Sequence, residues 1–240
     1  MKLHHGDYKK KLSRTKADLI LTSPPYNIGS QRKRQLGNRK MGIYDPKSFG
    51  GVRGYEDKLK LPQYHDSQAA FLDWCHAHLN DGGILVYNHK PHRQRGKARL
   101  VHPMEWIVEC PGLVLMEEII WDRGSTHNHC TGLMWPQTER LYVFRRVCDK
   151  YRLRSTRGDE FRSDVWRISM AKNEGHCAPM PMKLAEAVIK LWSKEGDVVM
   201  DPYAGSGTTL IAAEKLGRKG VGSEKLKKYF RLANKRLQNA

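Results

Sequence analysis

Short apolar runs bounded by turn residues recur along this chain, and their spacing predicts an open α/β sheet rather than a helical bundle. Residues 18–22, Asp-Leu-Ile-Leu-Thr, alternate too little for a strand with one wet face and read as a short buried parallel strand. Residue 23 onward then leaves its C-terminal end, the edge at which open α/β sheets hold ligands. Residues 30–65 change character: cationic residues at 32–34, 39 and 40 and glycines at 37, 42, 50, 51 and 54 deny the segment a core, so a mobile basic loop is expected. Over 66–80 the apolar Leu72, Cys75 and Leu79 share one helical face, and Asp81, Gly82 and Gly83 stop that helix before a second buried strand at 84–87. A further basic loop, 90–103, leads to a short helix over 104–110 and a strand over 113–121. Residues 139–144 return as the antiparallel neighbour of that strand, which leaves 122–138 as a long loop carrying His127, His129, Cys130 and Trp135.

Residues 147–163 are polar and basic without periodicity. A strand is expected at 164–168 and a helix at 182–192, with Leu184, Val188 and Leu191 facing inward. The clearest unit comes last: strand 197–200, loop 201–207, helix 208–216 and strand 220–223, with Glu224 at its tip. The fold class is therefore α/β, a mostly parallel sheet with one antiparallel hairpin. The 240 residues fit a single domain, 1–240, in which 30–65, 90–103, 122–138 and 147–163 are mobile loops or face a partner.

Charge changes this picture most. Lys and Arg number 43 against 25 acidic residues, a formal net charge of +18. An excess this large points to a polyanionic partner, and the cationic runs lack the amphipathic apolar face that would favour a membrane surface. A merely basic or ribosome-associated protein is the competing reading. The cysteines at 75, 110, 130, 148 and 177 are odd in number and contain no CxxC pair. With no apolar leader or membrane-length run, a reducing cytoplasm is the natural setting.

Two short motifs carry chemistry. Asp201-Pro-Tyr-Ala-Gly-Ser-Gly-Thr-Thr209 joins a strand to a helix, and Gly205 and Gly207 allow backbone amides to approach a ligand closely. A phosphate-binding P-loop would need lysine after the final glycine, and Thr208 stands there. A dinucleotide site would want a third glycine where the chain has Leu210. Glu224 is placed to hold ribose hydroxyls of a nucleoside-bearing cofactor; a plain structural turn is the alternative. The second motif is Ser23, Pro24, Pro25 and Tyr26. Consecutive prolines hold the backbone extended and leave the Ser23 and Pro24 carbonyls without a following amide donor. Acceptors beside a flat ring suit an exocyclic amino group on a nucleobase, whose delocalised lone pair makes it a poor nucleophile until its N–H bonds are engaged. Stacking on Tyr26, typically about 1–3 kcal/mol per base, could offset the extrusion of a base from a duplex. Taken alone, Ser-Pro-Pro-Tyr reads first as a plain turn after a strand.

With both motifs at strand ends of one sheet, the chain resembles the DNA amino-methyltransferases that use S-adenosyl-L-methionine, in the permuted (beta) order with the catalytic motif before the cofactor motif. The resemblance covers most of the chain and implies a Rossmann-like methyltransferase fold. It implies that Ser23, Pro24, Pro25 and Tyr26 are catalytic. It further implies that Asp201, Pro202, Ala204, Gly205, Ser206, Gly207 and Thr208 bind the methionine end of the cofactor, Glu224 its ribose and Asp7, in a Gly-Asp segment, its adenine. The segment 175–181 stands where the family places a cofactor-lining motif, although Cys177-Ala-Pro departs from the common form. The serine form of the catalytic motif is usual in cytosine-N4 enzymes, so methylation of cytosine N4 is expected, with adenine N6 as the alternative. An RNA or protein-Gln methyltransferase and a non-catalytic DNA-binding relative are weaker readings. No cysteine follows a proline as a C5-type nucleophile would, so no covalent intermediate is expected. Double-stranded DNA is the implied partner, with Arg32, Lys33, Arg34, Arg39, Lys40, Arg93 and Arg95 as phosphate contacts; pairing with a second copy stays open. Residues 147–163 are too short for a separate recognition domain, so a short or degenerate site read by 30–65 and 122–138 is expected. The His and Cys residues at 127–130 and 176–177 fit no common zinc spacing, and no metal is expected.

Overall fold

The computed structural model describes residues 1–27, 59–93, 99–124, 134, 136–150, 161–172, 175–176 and 178–240. Among these, the chain forms β1 (Lys2–His5), α1 (Tyr8–Lys11), β2 (Ala17–Thr22), α2 (Leu61–His78), β3 (Leu79–His89), β4 (His92–Arg93), β5 (Leu100–Val101) and α3 (Met104–Ile107). It continues through β6 (Leu113–Asp122), β7 (Thr138–Arg146), β8 (Val165–Arg167), α4 (Met182–Trp192), β9 (Val198–Asp201), α5 (Thr208–Lys215), β10 (Lys219–Glu224) and α6 (Lys227–Gln238). No helix among the described residues is long and apolar enough to cross a membrane.

The main sheet has the order β1-β10-β9-β2-β3-β7-β6-β8. From β1 to β3 the neighbours are parallel, and β7 runs antiparallel between β3 and β6. Helices on both faces explain the unbroken apolar runs. Leu19 and Leu21 of β2 join Ile84 and Val86 of β3 in a core under α4 and α5. Ile20, Leu85 and Tyr87 point the other way, into a core with Phe71, Leu72 and Trp106. The order in which strands are added reverses beside β2: the chain steps from β2 to β3 on one side and from β9 to β10 on the other. The β2–β9 boundary is thus the switch point, where strand ends splay into a crevice.

Several elements differ from expectation. Helix α2 begins at Leu61, inside the segment read as loop, with Pro62 in its first turn, where the missing N–H has no intrahelical partner to lose. The helix buries Tyr64, Gln68, Phe71, Leu72 and Cys75, one continuous face. Leu79, assigned to that face, instead opens β3, and residues 81–83 form an irregularity within the strand, since Ala17 pairs with Leu79 and Leu19 already with Ile84. The short β1 and α1 carry no clear apolar period, whereas the long α6, which the sequence reading did not assign, buries Tyr229 and Ala233 and half-buries Phe230 and Leu237 on one face of a basic helix.

Candidate active site at the switch point

At the end of β2 the chain turns through Ser23, Pro24, Pro25 and Tyr26, and Asn27 takes a left-handed conformation at φ 56°. Asn tolerates that region better than most residues. Its buried side chain then clips the loop base: Nδ2 donates to the Leu59 carbonyl at 3.0 Å and Oδ1 accepts from the Leu59 N–H at 2.9 Å. A second tie comes from Tyr64 of α2, whose hydroxyl donates to the Pro25 carbonyl at 2.9 Å and lies 2.6 Å from His89 Nε2. The Lys90 N–H donates to His89 Nδ1 at 2.8 Å. Burial holds that imidazole well below its usual range, so the ring is neutral, and its Nδ1 also lies 2.9 Å from the Lys90 carbonyl. Among the described residues, no hydrogen bond reaches the Pro24 carbonyl.

Tyr26 is fixed from both ends. Its ring lies 4.4 Å from the His89 ring, with the Lys90 ammonium 5.5 Å from its centroid. Its hydroxyl is 2.7 Å from Ser23 Oγ, 2.9 Å from Asn88 Oδ1 and 3.2 Å from Glu139 Oε2. Burial, reinforced by the neighbouring Glu139 charge, holds the phenol well above its usual range, so it stays a donor.

The glycine-rich loop follows β9 and faces this turn. Gly205 and Gly207 have φ of +53° and +81°, which favours glycine, and a Cβ on Gly205 would meet His176 Nε2 at 2.9 Å. Asp201 is the hinge between the two loops: Oδ1 accepts from Thr22 Oγ1 and from the Tyr203 N–H, both at 3.0 Å, and Oδ2 accepts from Thr209 Oγ1 at 2.8 Å. Burial raises its carboxyl to about 6 against the pull of these hydrogen bonds, with Glu224 adding a smaller push in the same direction. Glu224, fully buried, accepts from Gly205 N–H at 2.9 Å and Leu226 N–H at 2.6 Å, so it shapes the loop from beneath. Arg236 of α6 donates to the Ser206 carbonyl at 2.6 Å, and Ala233 packs against Gly207.

Between the loops lies a cavity of about 170 Å³ lined by Ser23, Pro24, Pro25 and Tyr26 on one side and Asp201, Ala204, Gly205, Ser206 and Thr208 on the other. His176 and Tyr229, with rings 4.3 Å apart, complete the wall. Burial lowers the His176 imidazole to about 4, so it is neutral there. The structure thus brings together most of the residues picked from sequence. Pro202 and Gly207 are buried in the loop without lining the cavity. Asp7 lies apart from it: Oδ1 caps α1 by accepting from the Lys9 N–H at 3.0 Å, and Oδ2 is 3.9 Å from Lys225 Nζ. Arg32, Lys33, Arg34, Arg39, Lys40, Arg95, His127, His129, Cys130, Trp135 and Cys177 lie outside the described residues, as does the Arg93 side chain. Sequence reasoning missed Tyr64, Asn88, His89, Glu139 and Arg236. For Asn88 and His89 the signal was available, two polar residues ending the apolar run 84–87 of a strand that is buried from Gly83 onward.

The DNA methylase family, which groups N6 and N4 enzymes, matches residues 17–235. The chain belongs to this family. Among DNA methylases, the type II methyltransferase M2.DpnII of Streptococcus pneumoniae is 25% identical over 254 residues, covering 99% of this chain and 90% of that protein. A Thermus thermophilus protein, assigned by inference as a DNA modification methylase and solved with S-adenosyl-L-methionine, superposes with a TM-score of 0.67 at 25% identity, over 99% of this chain and 95% of its own. The PvuII cytosine-N4-specific DNA methyltransferase shares the fold with a TM-score of 0.74 at 18% identity, over 97% and 84% of the two chains. The fold is the mostly parallel α/β sheet of these methyltransferases.

Proposed function

We propose that this DNA methylase uses S-adenosyl-L-methionine to methylate the exocyclic amino group of a base flipped from double-stranded DNA, with cytosine N4 preferred and adenine N6 the alternative. The observation that carries the reading is that the Ser23–Tyr26 turn and the glycine-rich loop line one cavity from opposite sides. The cavity suits the cofactor: Gly205 puts no side chain into it, and His176 is neutral, so it does not repel a sulfonium. Ala204, Gly205, Ser206 and Thr208 would hold the methionine end, with Glu224 and Asp7 toward the ribose and adenine. The Glu224 carboxylate is held in place by the Gly205 and Leu226 backbone amides, so it is fixed beneath the glycine-rich loop. When bound, the cofactor supplies an electrophilic sulfonium methyl group.

The chain's own residues then act by positioning rather than by strong base chemistry. Ser23 Oγ and the Pro24 carbonyl accept the two amino N–H bonds and favour a pyramidal nitrogen whose lone pair faces the cofactor. Tyr26 and Pro25 supply flat surface for the base. The Tyr64–Pro25 and Asn27–Leu59 bonds keep this turn from drifting. Ser23 supports the cytosine preference, since the resemblance associates the hydroxyl form with N4 chemistry. A role beside a restriction enzyme belongs to the same proposal, because the Streptococcus pneumoniae relative is a type II methyltransferase. Labelled-methyl transfer to varied duplexes, followed by nucleoside mass spectrometry, tests both levels. N4-methylcytosine is expected, N6-methyladenine alone would reverse the base choice, and no methylated base would remove the proposal.

A further inference from the structure

Four polar groups meet behind Ser23, and their hydrogens are too few for every contact to be a bond. Ser23 and Tyr26 bring one hydroxyl proton each. Asn88 Oδ1 and Glu139 Oε2 bring none; Asn88 is oriented by its own amide, whose Nδ2 donates to the Arg140 carbonyl at 3.1 Å. The Ser23–Tyr26 contact of 2.7 Å can run either way. If Tyr26 donates to Ser23, it fills a lone pair that a substrate amino group needs. If Tyr26 donates elsewhere, Ser23 gives its proton to Tyr26 or, at 3.2 Å, to Asn88, and its oxygen is left wholly free to accept.

Glu139 decides between these arrangements. It stands at the start of β7, opposite Trp121 of β6, and is 8% exposed. Its Oε1 is 3.3 Å from Arg123 Nη1 and 3.4 Å from Lys90 Nζ, which keeps a carboxylate in this buried place. Oε2 is turned toward the Tyr26 hydroxyl at 3.2 Å. Two neutral acceptors lie closer to that hydroxyl, Ser23 Oγ at 2.7 Å and Asn88 Oδ1 at 2.9 Å, but a charged acceptor holds a proton roughly twice as strongly as a neutral one, enough to outweigh both shorter contacts. We propose that Glu139 is a positioning residue for methyl transfer: it draws the Tyr26 hydroxyl proton toward itself and so keeps the Ser23 oxygen open to the target amino group. Glu139 does not line the cavity and acts only through Tyr26.

This inference rests on the amino-methyltransferase reading, and the test separates the two. Single-turnover methyl transfer to DNA is measured at saturating S-adenosyl-L-methionine for wild type, E139Q, Y26F and Y26F/E139Q, with cofactor affinity by calorimetry and thermal melts alongside. The E139Q amide keeps the shape but can donate to Tyr26 and turn its proton back to Ser23. The expected result is a rate about tenfold lower, the size of one charged hydrogen bond of about 1.5 kcal/mol, at unchanged cofactor affinity. In the Y26F background, where no hydroxyl remains to be directed, E139Q should cost nothing further. A general structural role predicts instead the same loss in both backgrounds, and that result overturns the proposal, as does a wild-type rate for E139Q. Should E139Q leave Lys90 and Arg123 too poorly compensated to fold, the charge-balanced R123Q/E139Q variant carries the same comparison with and without Y26F. Failure of the wild-type protein to methylate any DNA base overturns this inference and the functional reading together. Methylation by wild type with an indifferent E139Q overturns this inference alone.

Discussion

Asp201 shows how one residue of the loop couples site and stability. Burial raises its carboxyl from 3.8 to about 6, although three hydrogen bonds favour the charged form. The folded chain therefore keeps a proton at this position that the unfolded chain has released. Its contribution to stability is largest at acid pH, declines as pH rises from the unfolded value toward about 6, and levels off above that. D201N removes the titration while keeping an acceptor for Thr22 and Tyr203. Urea unfolding of both proteins at about pH 5 and about pH 7.5 should show the stability difference moving toward the variant by about 1 kcal/mol at the higher pH. A difference independent of pH would mean that Asp201 is ionised throughout.

At the scale of elements, the contact between α5 and β10 answers a point raised by the sequence. A dinucleotide fold places a glycine in the helix so that it can lie close on the strand, and this chain has Leu210 there. The close approach is made from the strand instead. A Cβ on Gly220 would lie 3.0 Å from both the Cα and the carbonyl oxygen of Leu210, and one on Gly222 would lie 2.9 Å from the Leu210 side chain. The glycine requirement has moved from helix to strand without changing the packing. G220A should therefore destabilise by about 1–3 kcal/mol, read as a lower urea midpoint at unchanged slope. L210A should not relieve it, because the opposing atoms are backbone. Relief by L210A would show that the helix is free to shift. The α4 helix was legible in full, residues 182–192, because Leu184, Val188 and Leu191 mark its buried face. The α6 helix also carries a stripe, Tyr229, Phe230, Ala233 and Leu237 at helical spacing, which the sequence reading passed over among its many basic residues.

The whole molecule carries a formal charge of +18, far more than the methyl-transfer site needs. The functional reading assigns that excess to the DNA backbone, with Arg32, Lys33 and Arg34 among the contacts. Replacing these three by Gln should flatten the log–log dependence of DNA affinity on salt by up to about 0.9 for each phosphate contact removed. Cofactor affinity should be unchanged, because the functional reading assigns the three to the DNA backbone and not to the cofactor. An unaltered salt slope would take them out of the interface.

The sequence by itself determined the parallel sheet, the final strand-loop-helix-strand unit and the two loops of the site, because buried strands, glycine turns and paired prolines are local patterns. It also placed Ser23, Tyr26 and Asp201 at strand ends. Only the tertiary structure decided what surrounds them. Asn88 lies 62 positions from Tyr26 and reaches it because β3 runs parallel beside β2, and Glu139, 113 positions away, reaches it because β7 folds back antiparallel against β3. A lone glutamate at the head of a strand looks like surface charge until the sheet buries it. The direction of a hydroxyl proton at Ser23 is thus set by a contact that no local pattern contains.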